Sequence, residues 1–424
     1  MTKIRFRPML YITVVNLLSF FTLFLFYGAK EPTLLYTGII LAAVNILIYM
    51  FLYRFEFGDI YLFLTVSMLV SLGLIMQYRI NIVTANKQLM WFGLGIVCYF
   101  ITMLLFGKIH IWDRLLLVYA VCCFALFGIT AIFGTVINGS KNWIIIKGFS
   151  IQPSELIKLF YCLCIACFFS RIPTDRKKDK RQRFLKMPID EIILCGFVYA
   201  CMGALAVVQR EWGTALLLFL IYFSMCFIYK TNNLLKIINI GGIAIAVIFG
   251  SVFLADHIGV RIKLWQDPWQ DPLGQGYQIV QSLIAIACGG YFGVGVGCGS
   301  PQYIPFRESD FIFAAICEEM GIFMGFAVIL LYFILTYRGI KTALKSDNQF
   351  LKAACMALVL CFGYQTFIIV GGVIKLIPLT GITLPFVSYG GSSMIASFAM
   401  LGVITAFSIV PKKRKPRKES GRIS

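Results

Sequence analysis

Two aspartates lie close together in a segment that differs in composition from the rest of the chain. The segment Trp265–Gln278 reads WQDPWQDPLGQGYQ, and Asp267 and Asp271 are each followed by proline. Proline disfavours the helical conformation of the residue before it, so both aspartates are predicted to lie in turns. A partly desolvated carboxylate in such a turn can accept a proton as a general base. The alternative is turn formation alone, because Asp-Pro is a common turn dipeptide.

Three further clusters place charged residues at the edges of hydrophobic segments. A charged side chain at membrane depth is by default a hypothesis for a functional site. The substrate-binding candidates in these clusters are Lys141, Glu155, Lys158, Arg210, Glu211, Asp310, Glu318 and Glu319.

Some of these charges have predicted partners nearby. Glu155 and Lys158 are spaced i, i+3 on a helix that opens near Pro153, so a local ion pair and a binding role are both open. Arg210 and Glu211 can also pair, and an outward guanidinium suits a pyrophosphate.

Two adjacent carboxylates follow in a later helix. Asp310 is placed to cap that helix, and Glu318 and Glu319 lie about two turns into it. At least one of them should face other helices and find a base, with Lys158 or Lys375 as candidates. For Glu318 and Glu319 the sequence favours neither of two alternatives, a structural ion pair or a role in substrate binding.

Composition places these residues in a membrane protein. The hydrophobic fraction is 60% and the charged fraction 13%, with a mean hydropathy of +0.86, which excludes a soluble fold. Helices satisfy their own backbone groups in lipid, and each crossing takes about 20 apolar residues, so we predict an all-α polytopic bundle. About twelve spans are predicted, centred on 9–28, 34–53, 59–77, 88–107, 113–134, 152–170, 191–208, 213–229, 236–255, 311–337, 353–376 and 385–410.

The net charge of +19 is concentrated in alternate loops. Cytoplasmic loops of membrane proteins are enriched in Lys and Arg, so the basic loops and both termini are predicted to lie in the cytoplasm. No nucleic acid partner is needed to explain the charge, and membrane lipids are the expected contact of the basic tail. The loops predicted to face outward are 135–151, 209–212, 256–310 and 377–384.

Other motifs do not indicate a cofactor. Cys164 and Cys167 have C-x-x-C spacing but no second pair, and the two histidines, His110 and His257, lie at opposite predicted membrane edges. The glycines at 289–299 follow no predicted strand, so they indicate tight turns rather than a nucleotide site. The apolar run before them is too short to span and predicts an interfacial or re-entrant helix at Ile279–Cys288.

Five segments in order resemble one family. They read NGSKNWI at 138–144, IQPSELIK at 151–158, WQDPWQDPLGQGYQIVQS at 265–282, ESDFIFAAICEEMG at 308–321 and IPLTGITLPFVSYGGSS at 377–393. The chain is similar to the SEDS family (shape, elongation, division and sporulation), which includes FtsW, RodA and SpoVE. The matched segments also add Trp143, Gln278, Asp267 and Ser388 as substrate-binding candidates.

The resemblance implies a peptidoglycan glycosyltransferase. Such enzymes join lipid II into glycan strands at the outer face of the bacterial cytoplasmic membrane, in division, elongation or sporulation, with a class B penicillin-binding protein. The family's essential aspartate maps onto Asp271, which would act as general base in an inverting reaction. Lys141, Lys147 and Arg210 are candidate cations for the leaving pyrophosphate. A divalent cation (Mg²⁺ or Mn²⁺) on Asp267 and Asp271 is a further expectation, without an organic cofactor.

The family has a ten-span core, which divides the chain. Residues 1–57 would be an extra N-terminal transmembrane hairpin, 58–411 the core with its large outer loop 256–310, and 412–424 a basic cytoplasmic tail. Glu211 departs from the family, which usually has aspartate there. Two rival functions are a lipid II flippase and a non-catalytic scaffold of the divisome or elongasome; carboxylates gathered toward one side favour chemistry over transport.

Overall fold

The computed structural model describes residues 3–109, 111–137, 139–146, 149–172, 183–184, 187–242 and 255–409. These residues form the predicted polytopic helical membrane bundle. The helices are α1 (Lys3–Phe26), α2 (Pro32–Arg54), α3 (Ile60–Ile80), α4 (Ile82–Lys108), α5 (Leu116–Phe133), α6 (Pro153–Ser170), α7 (Ile189–Gly203), α8 (Trp212–Ile228), α9 (233–242, where the described residues stop), α10 (Ala255–Gln266), α11 (Tyr277–Gly289), α12 (Ile312–Lys345), α13 (Gln349–Val373) and α14 (Gly391–Phe407).

Most of the predicted spans are confirmed as helices. Among the described residues, 9 helices are long and apolar enough to cross a bilayer, with α7 continuing through the π turn Ala204–Gln209. Helices α8 and α14 are apolar but have 17 residues each. The predicted ninth span falls largely on 243–254, outside the described residues. The closely spaced seventh and eighth spans are two helices, because Arg210 takes a left-handed conformation with φ 56°.

Capping residues fix where several helices begin. Pro153 occupies the first turn of α6, where its missing N–H is not needed. Side chains of Asp59, Asn81 and Asn348 accept hydrogen bonds from first-turn N–H groups of α3, α4 and α13. Helix α4 lies along α14, α13 packs against α6 and α12, and α11 packs against α12. Since α3, α6 and α13 are the most buried spans, most of their polar side chains face other helices.

The predicted loop between α5 and α6 contains a small sheet. Strands β1 (Thr135–Ile137), β2 (Ser140–Ile146) and β3 (Phe149–Ile151) pair antiparallel in that order. The β-branched residues at 144–146 favour a strand. The run is too short for hydropathy to distinguish a strand from a loop. A two-stranded ladder of β4 (Arg183–Phe184) and β5 (Met187–Pro188) precedes α7.

Helix α12 is interrupted at Gly321, whose φ of 82° and ψ of 169° are not helical. The N–H groups after the break donate to the carbonyls of Gly290 and Tyr291, at 2.9 and 3.3 Å. The N–H groups of Val294 and Gly295 donate to carbonyls before the break, each at 3.0 Å. Backbone groups released by the break are thus paired again, as they must be in a membrane.

The segment that pairs with this break, residues 290–299, is called here the glycine segment. Four of its glycines have φ between 53° and 106°, a range that other residues rarely adopt. The predicted use of these glycines in tight turns is therefore confirmed. Positive φ values occur at Gly290, Gly293, Gly295 and Gly297.

Helices α1 and α2 pack against each other and against α3; this pair is called the N-terminal hairpin. The Tyr27 hydroxyl, at its turn, donates to the carbonyls of Tyr78 and Arg79, at 3.4 and 3.2 Å. The division of the chain at residue 57 stays a prediction, and the tail 412–424 lies outside the described residues.

Candidate functional site

Asp271 lies in the turn that leads into α11. Its Oδ1 accepts a hydrogen bond from the N–H of Gly274 at 3.0 Å, and its Oδ2 accepts one from the N–H of Gln275 at 2.8 Å. The two donors fix the plane of the carboxylate, and each oxygen keeps a second lone pair. Asp271 is exposed, as are its neighbours Gln270 and Leu273. Pro268 and Gly276 in the same turn are buried, and the partial desolvation of the Asp271 carboxylate stays a prediction.

Asp267 shapes the preceding turn. Its Oδ1 accepts a hydrogen bond from the N–H of Trp269 at 3.1 Å and caps the 3-10 turn Pro268–Gln270. Among the described residues no three Cys, His, Asp or Glu side chains come together as a metal site. Asp267 and Asp271 each place carboxylate oxygens on backbone N–H groups of their own turns. The divalent cation therefore stays a prediction and takes no part in the mechanism below.

Glu155 and Lys158 form the predicted ion pair. Lys158 Nζ lies 2.7 Å from Glu155 Oε2, with the side chains 1% and 3% exposed. Lys158 also donates to Gln365 Oε1 at 2.9 Å, and Gln365 Nε2 donates to the carbonyl of Thr383 at 2.8 Å. A buried charge persists only when it is paired and hydrogen-bonded. The pair therefore joins α6 to α13 and to the loop before α14.

Glu211 binds neighbouring helix ends rather than Arg210. Gln152 Nε2, Ser154 Oγ and Thr214 Oγ1 donate to Glu211 Oε1, at 2.9, 3.1 and 2.5 Å. Burial raises the pKa of the Glu211 carboxyl, and the hydrogen bonds from Thr214 and Ser154 oppose that rise. The predicted pairing with Arg210 was wrong, because these three side chains are the partners of Glu211 and Arg210 is exposed.

Glu318 and Glu319 hold the glycine segment against α12. Glu319 Oε1 lies 2.9 Å from Arg79 Nε, and the Glu319 side chain is 0% exposed. Glu319 Oε2 accepts a hydrogen bond from the N–H of Gly297 at 3.0 Å, and Glu318 Oε1 accepts one from the N–H of Ser300 at 2.9 Å. Both carboxylates therefore face protein rather than lipid.

The expected basic partners of these two glutamates were wrong. Lys158 is taken by Glu155, and Lys375 lies in the turn after α13 with φ 62°. The partner is Arg79 at the end of α3, whose Nη2 also donates to the carbonyls of Gly297 and Gly299 at 2.9 and 3.1 Å. The candidates were chosen by their predicted depth in the membrane. This criterion could not identify Arg79, because α3 is far from α12 in the sequence.

Asp310 precedes α12 without capping it. The residue at the cap position is Phe311, and no side chain accepts a hydrogen bond there, so the predicted cap was wrong by one residue. Burial raises the pKa of Asp310 to about 6, while a hydrogen bond from Ser309 and the charge of Arg261 oppose the rise. Arg261, on α10, also donates to the carbonyl of Leu379 at 3.4 Å.

Ser388 joins two loops. Its hydroxyl donates to the carbonyl of Ser309 at 2.6 Å and accepts a hydrogen bond from the N–H of Leu384 at 2.9 Å. The N–H of Tyr389 donates to the carbonyl of Glu308 at 2.8 Å. Since Ser388 is 4% exposed, its hydroxyl holds the loop before α14 against the turn before α12.

The remaining candidates lie apart from one another. Lys141 Nζ donates to the carbonyl of Ala131 at 2.6 Å, at the end of α5. Trp143 lies in β2 and Gln278 in the first turn of α11, both half-buried. Lys147 lies outside the described residues.

The sequence of the chain matches one family model over residues 45–413. The model describes cell cycle proteins of the FtsW, RodA and SpoVE type. The chain belongs to this family.

Relatives that align over most of the chain agree with this family. Peptidoglycan glycosyltransferase RodA of Mycobacterium tuberculosis (strain H37Rv) is 33% identical over 382 residues, which cover 84% of this chain and 79% of RodA. Stage V sporulation protein E of Bacillus subtilis is 33% identical over 362 residues, which cover 82% of this chain and 95% of that protein.

Two solved structures share the fold. One comes from work on the structural coordination of polymerization and crosslinking by a peptidoglycan synthase complex; its TM-score is 0.67 at 24% identity, over 83% of this chain and 97% of that chain. The other is RodA of Thermus thermophilus, with a TM-score of 0.58 at 23% identity, over 83% of this chain and 96% of RodA. At these identities the likeness concerns the fold alone.

The FtsW, RodA and SpoVE motifs of this chain depend on polar partners that the sequence analysis missed. Arg79 had a usable signal, since a lone base ending the apolar run GLIMQYR requires a partner. Gln152 and Ser154 adjoin Glu155 in the sequence but bind Glu211. Gln365 carries no signal, because an uncharged amide within a long apolar helix has no partner that the sequence indicates.

Proposed function

We propose that this chain is a peptidoglycan glycosyltransferase that joins lipid II units into glycan strands at the outer face of the cytoplasmic membrane. The reaction class follows from family membership, since relatives such as RodA and FtsW are named peptidoglycan glycosyltransferases. The observation that supports the proposal at residue level is Asp271. It is an exposed carboxylate, oriented by two backbone N–H groups, in the turn that opens the short apolar helix α11.

In the proposed reaction, Asp271 accepts the proton of the acceptor sugar's 4-hydroxyl. The hydroxyl oxygen forms a bond to the anomeric carbon of the lipid-linked donor, from the side opposite the leaving group, so the configuration inverts. The bond from that carbon to the pyrophosphate breaks, and its electron pair leaves with the polyprenyl pyrophosphate. The lone pairs of Asp271 that are not engaged by Gly274 and Gln275 would receive the hydroxyl.

The leaving pyrophosphate needs a cation, and Arg210 is the proposed one. Its side chain is exposed, and its carbonyl accepts a hydrogen bond from Ser140 at 3.1 Å, which fixes the backbone. A guanidinium can bind two phosphate oxygens at once. Lys141 is less suited, because its ammonium group already binds the carbonyl of Ala131.

The orientation and the partner are parts of the same proposal. Basic residues in alternate loops support cytoplasmic termini, which would place the Asp271 turn outside the membrane. A class B penicillin-binding protein is the proposed transpeptidase partner, and a neighbour in fold that belongs to a peptidoglycan synthase complex supports it.

The test is lipid II polymerisation by purified protein, with and without its transpeptidase. We expect Asp271→Asn to fold and insert but to lose roughly a hundred- to ten-thousandfold in rate. Asp347→Asn is the matched control, because Asp347 is an exposed aspartate in the turn between α12 and α13 and is not one of the site candidates. Polymer made by Asp271→Asn at the parent rate would refute the assignment, and polymer from neither parent nor variants would favour the flippase or scaffold.

A further inference from the structure

The turn of the N-terminal hairpin touches the end of α3. The guanidinium carbon of Arg79 lies 5.0 Å from the centre of the Phe26 ring, a distance at which a cation is attracted to the ring face. Tyr27 donates its hydroxyl to the last carbonyls of α3 and meets the Phe26 ring edge to face at 5.3 Å. The hairpin is thus fixed at the residue that pairs with Glu319.

Phe26 contacts the glycine segment as well. A Cβ atom added to Gly297 would collide with the Phe26 ring, so this ring lies directly against the backbone there. The same glycine is held from the other side, since its N–H donates to Glu319 and its carbonyl accepts from Arg79. The glycine segment therefore lies between the N-terminal hairpin and α12.

The glycine segment in turn positions α11. Gly289, the last residue of α11, lies so close to Cys317 that a Cβ would collide with the Cys317 carbonyl. The next two residues pair with α12 beyond its break. At the opposite end of α11, the N–H of Gly276 donates to the carbonyl of Asp271 at 3.0 Å. Because α11 has only 13 residues, displacement of one end moves the other.

We propose that the N-terminal hairpin is a positioning element of the glycosyl-transfer site. Phe26 and Tyr27 are its positioning residues; they act through Arg79 and the glycine segment on α11, and so on Asp271. The contact with the glycine segment stands on geometry alone, whereas the effect on turnover rests on the proposed function of Asp271. The hairpin residues Phe26 and Tyr27 precede the family match at 45–413, so this support is an addition to the matched core.

Cys298 offers a reporter within the glycine segment, because this thiol is free and exposed. The experiment measures maleimide labelling of Cys298 by peptide mass spectrometry, in full-length protein purified in detergent. We expect Phe26→Ala to raise the labelling rate roughly two- to fivefold, the equivalent of a lost surface cation–π contact. Phe26→Trp should restore the parent rate. Leu25→Ala is the matched control, since the exposed Leu25 precedes Phe26 on the same helix.

Lipid II polymerisation by the same proteins provides the second readout. A positioning role predicts that Phe26→Ala lowers kcat with little change in KM, and that Phe26→Trp recovers kcat. Unchanged Cys298 labelling in folded Phe26→Ala protein would overturn the contact, and faster labelling with unchanged kcat would overturn its link to the transfer site. Failure of the proposed function would give a different result: Asp271→Asn would polymerise lipid II at the parent rate, whatever the result for Phe26→Ala.

Discussion

The Asp271 carboxylate depends on Gly274 for its position. A Cβ atom at Gly274 would overlap both carboxylate oxygens of Asp271, although the backbone conformation of Gly274 is open to other residues. Gly274→Ala must therefore rotate the carboxylate, and a reacting group misplaced by about 1 Å costs roughly a hundredfold in rate. We expect that loss in lipid II polymerisation, with unchanged thermal unfolding.

Gly259→Ala is the control for this change, because a Cβ there would meet no atom within 4 Å. It should retain the parent rate. If Gly274→Ala polymerised lipid II as fast as Gly259→Ala, the orientation of Asp271 by its turn would be irrelevant to catalysis.

Asp310 predicts a pH dependence of stability. Its folded pKa is raised to about 6, from the 3.8 expected for the unfolded chain, so the folded protein binds the proton more tightly. Stability should therefore fall as the pH rises from about 4 to about 6, and this contribution should be constant above that range. Arg261 faces the carboxyl and limits the rise.

Thermal unfolding of purified parent and Asp310→Asn proteins between these pH values measures this contribution. We expect the variant to lose less stability than the parent as the pH rises. Identical pH profiles for the two proteins would show that Asp310 is ionised with its ordinary pKa.

Helices α3 and α12 are joined by a charge pair with one fully buried member. Removing one partner of such a pair leaves an unpaired charge, which costs about 3–5 kcal/mol. We therefore expect Arg79→Met to lower the unfolding temperature strongly, because the Glu319 carboxylate is 0% exposed. The double variant Arg79→Met/Glu319→Gln should regain most of the loss, since a glutamine can still accept from Gly297.

Lys87→Met, which removes an exposed base from α4, serves as the control and should change little. A double variant as unstable as Arg79→Met alone would mean that Arg79 acts through Phe26 and the glycine segment carbonyls rather than through Glu319.

Elements set by local chemistry could be predicted from the sequence. Apolar runs predicted the spans, Pro153 predicted the start of α6, and glycines predicted the turns of 290–299. The break at Gly321 could not be predicted, because its backbone groups are satisfied by residues about thirty positions earlier in the chain. The pairing of Glu319 with Arg79 was missed for the same reason: both depend on which helices become neighbours.

Across the whole molecule, the family motifs converge on buried polar contacts. Gln152 shows this directly, since its side chain binds Glu211 and its N–H donates to Ser392 Oγ at 3.2 Å. The carbonyl of Thr383 accepts a hydrogen bond from Gln365 Nε2, and the Thr383 hydroxyl lies 2.9 Å from the Ser393 hydroxyl. Segments far apart in sequence thereby hold α6, α8, α13 and α14 together. The turn that carries Asp267 and Asp271, in contrast, exposes both carboxylates, so the motifs combine a surface turn with a structural interior.

The Glu155–Lys158 pair tests whether the buried polar contacts of the motifs stabilise the fold rather than bind substrate. Lys158→Met should destabilise the protein by about 3–5 kcal/mol, because Glu155 would stay buried and unpaired. The double variant Glu155→Gln/Lys158→Met should recover both thermal stability and lipid II polymerisation, since neither side chain is more than 3% exposed. Both properties are measured on the same purified proteins. A double variant as stable as the parent but inactive would contradict this, and would assign the pair to substrate binding.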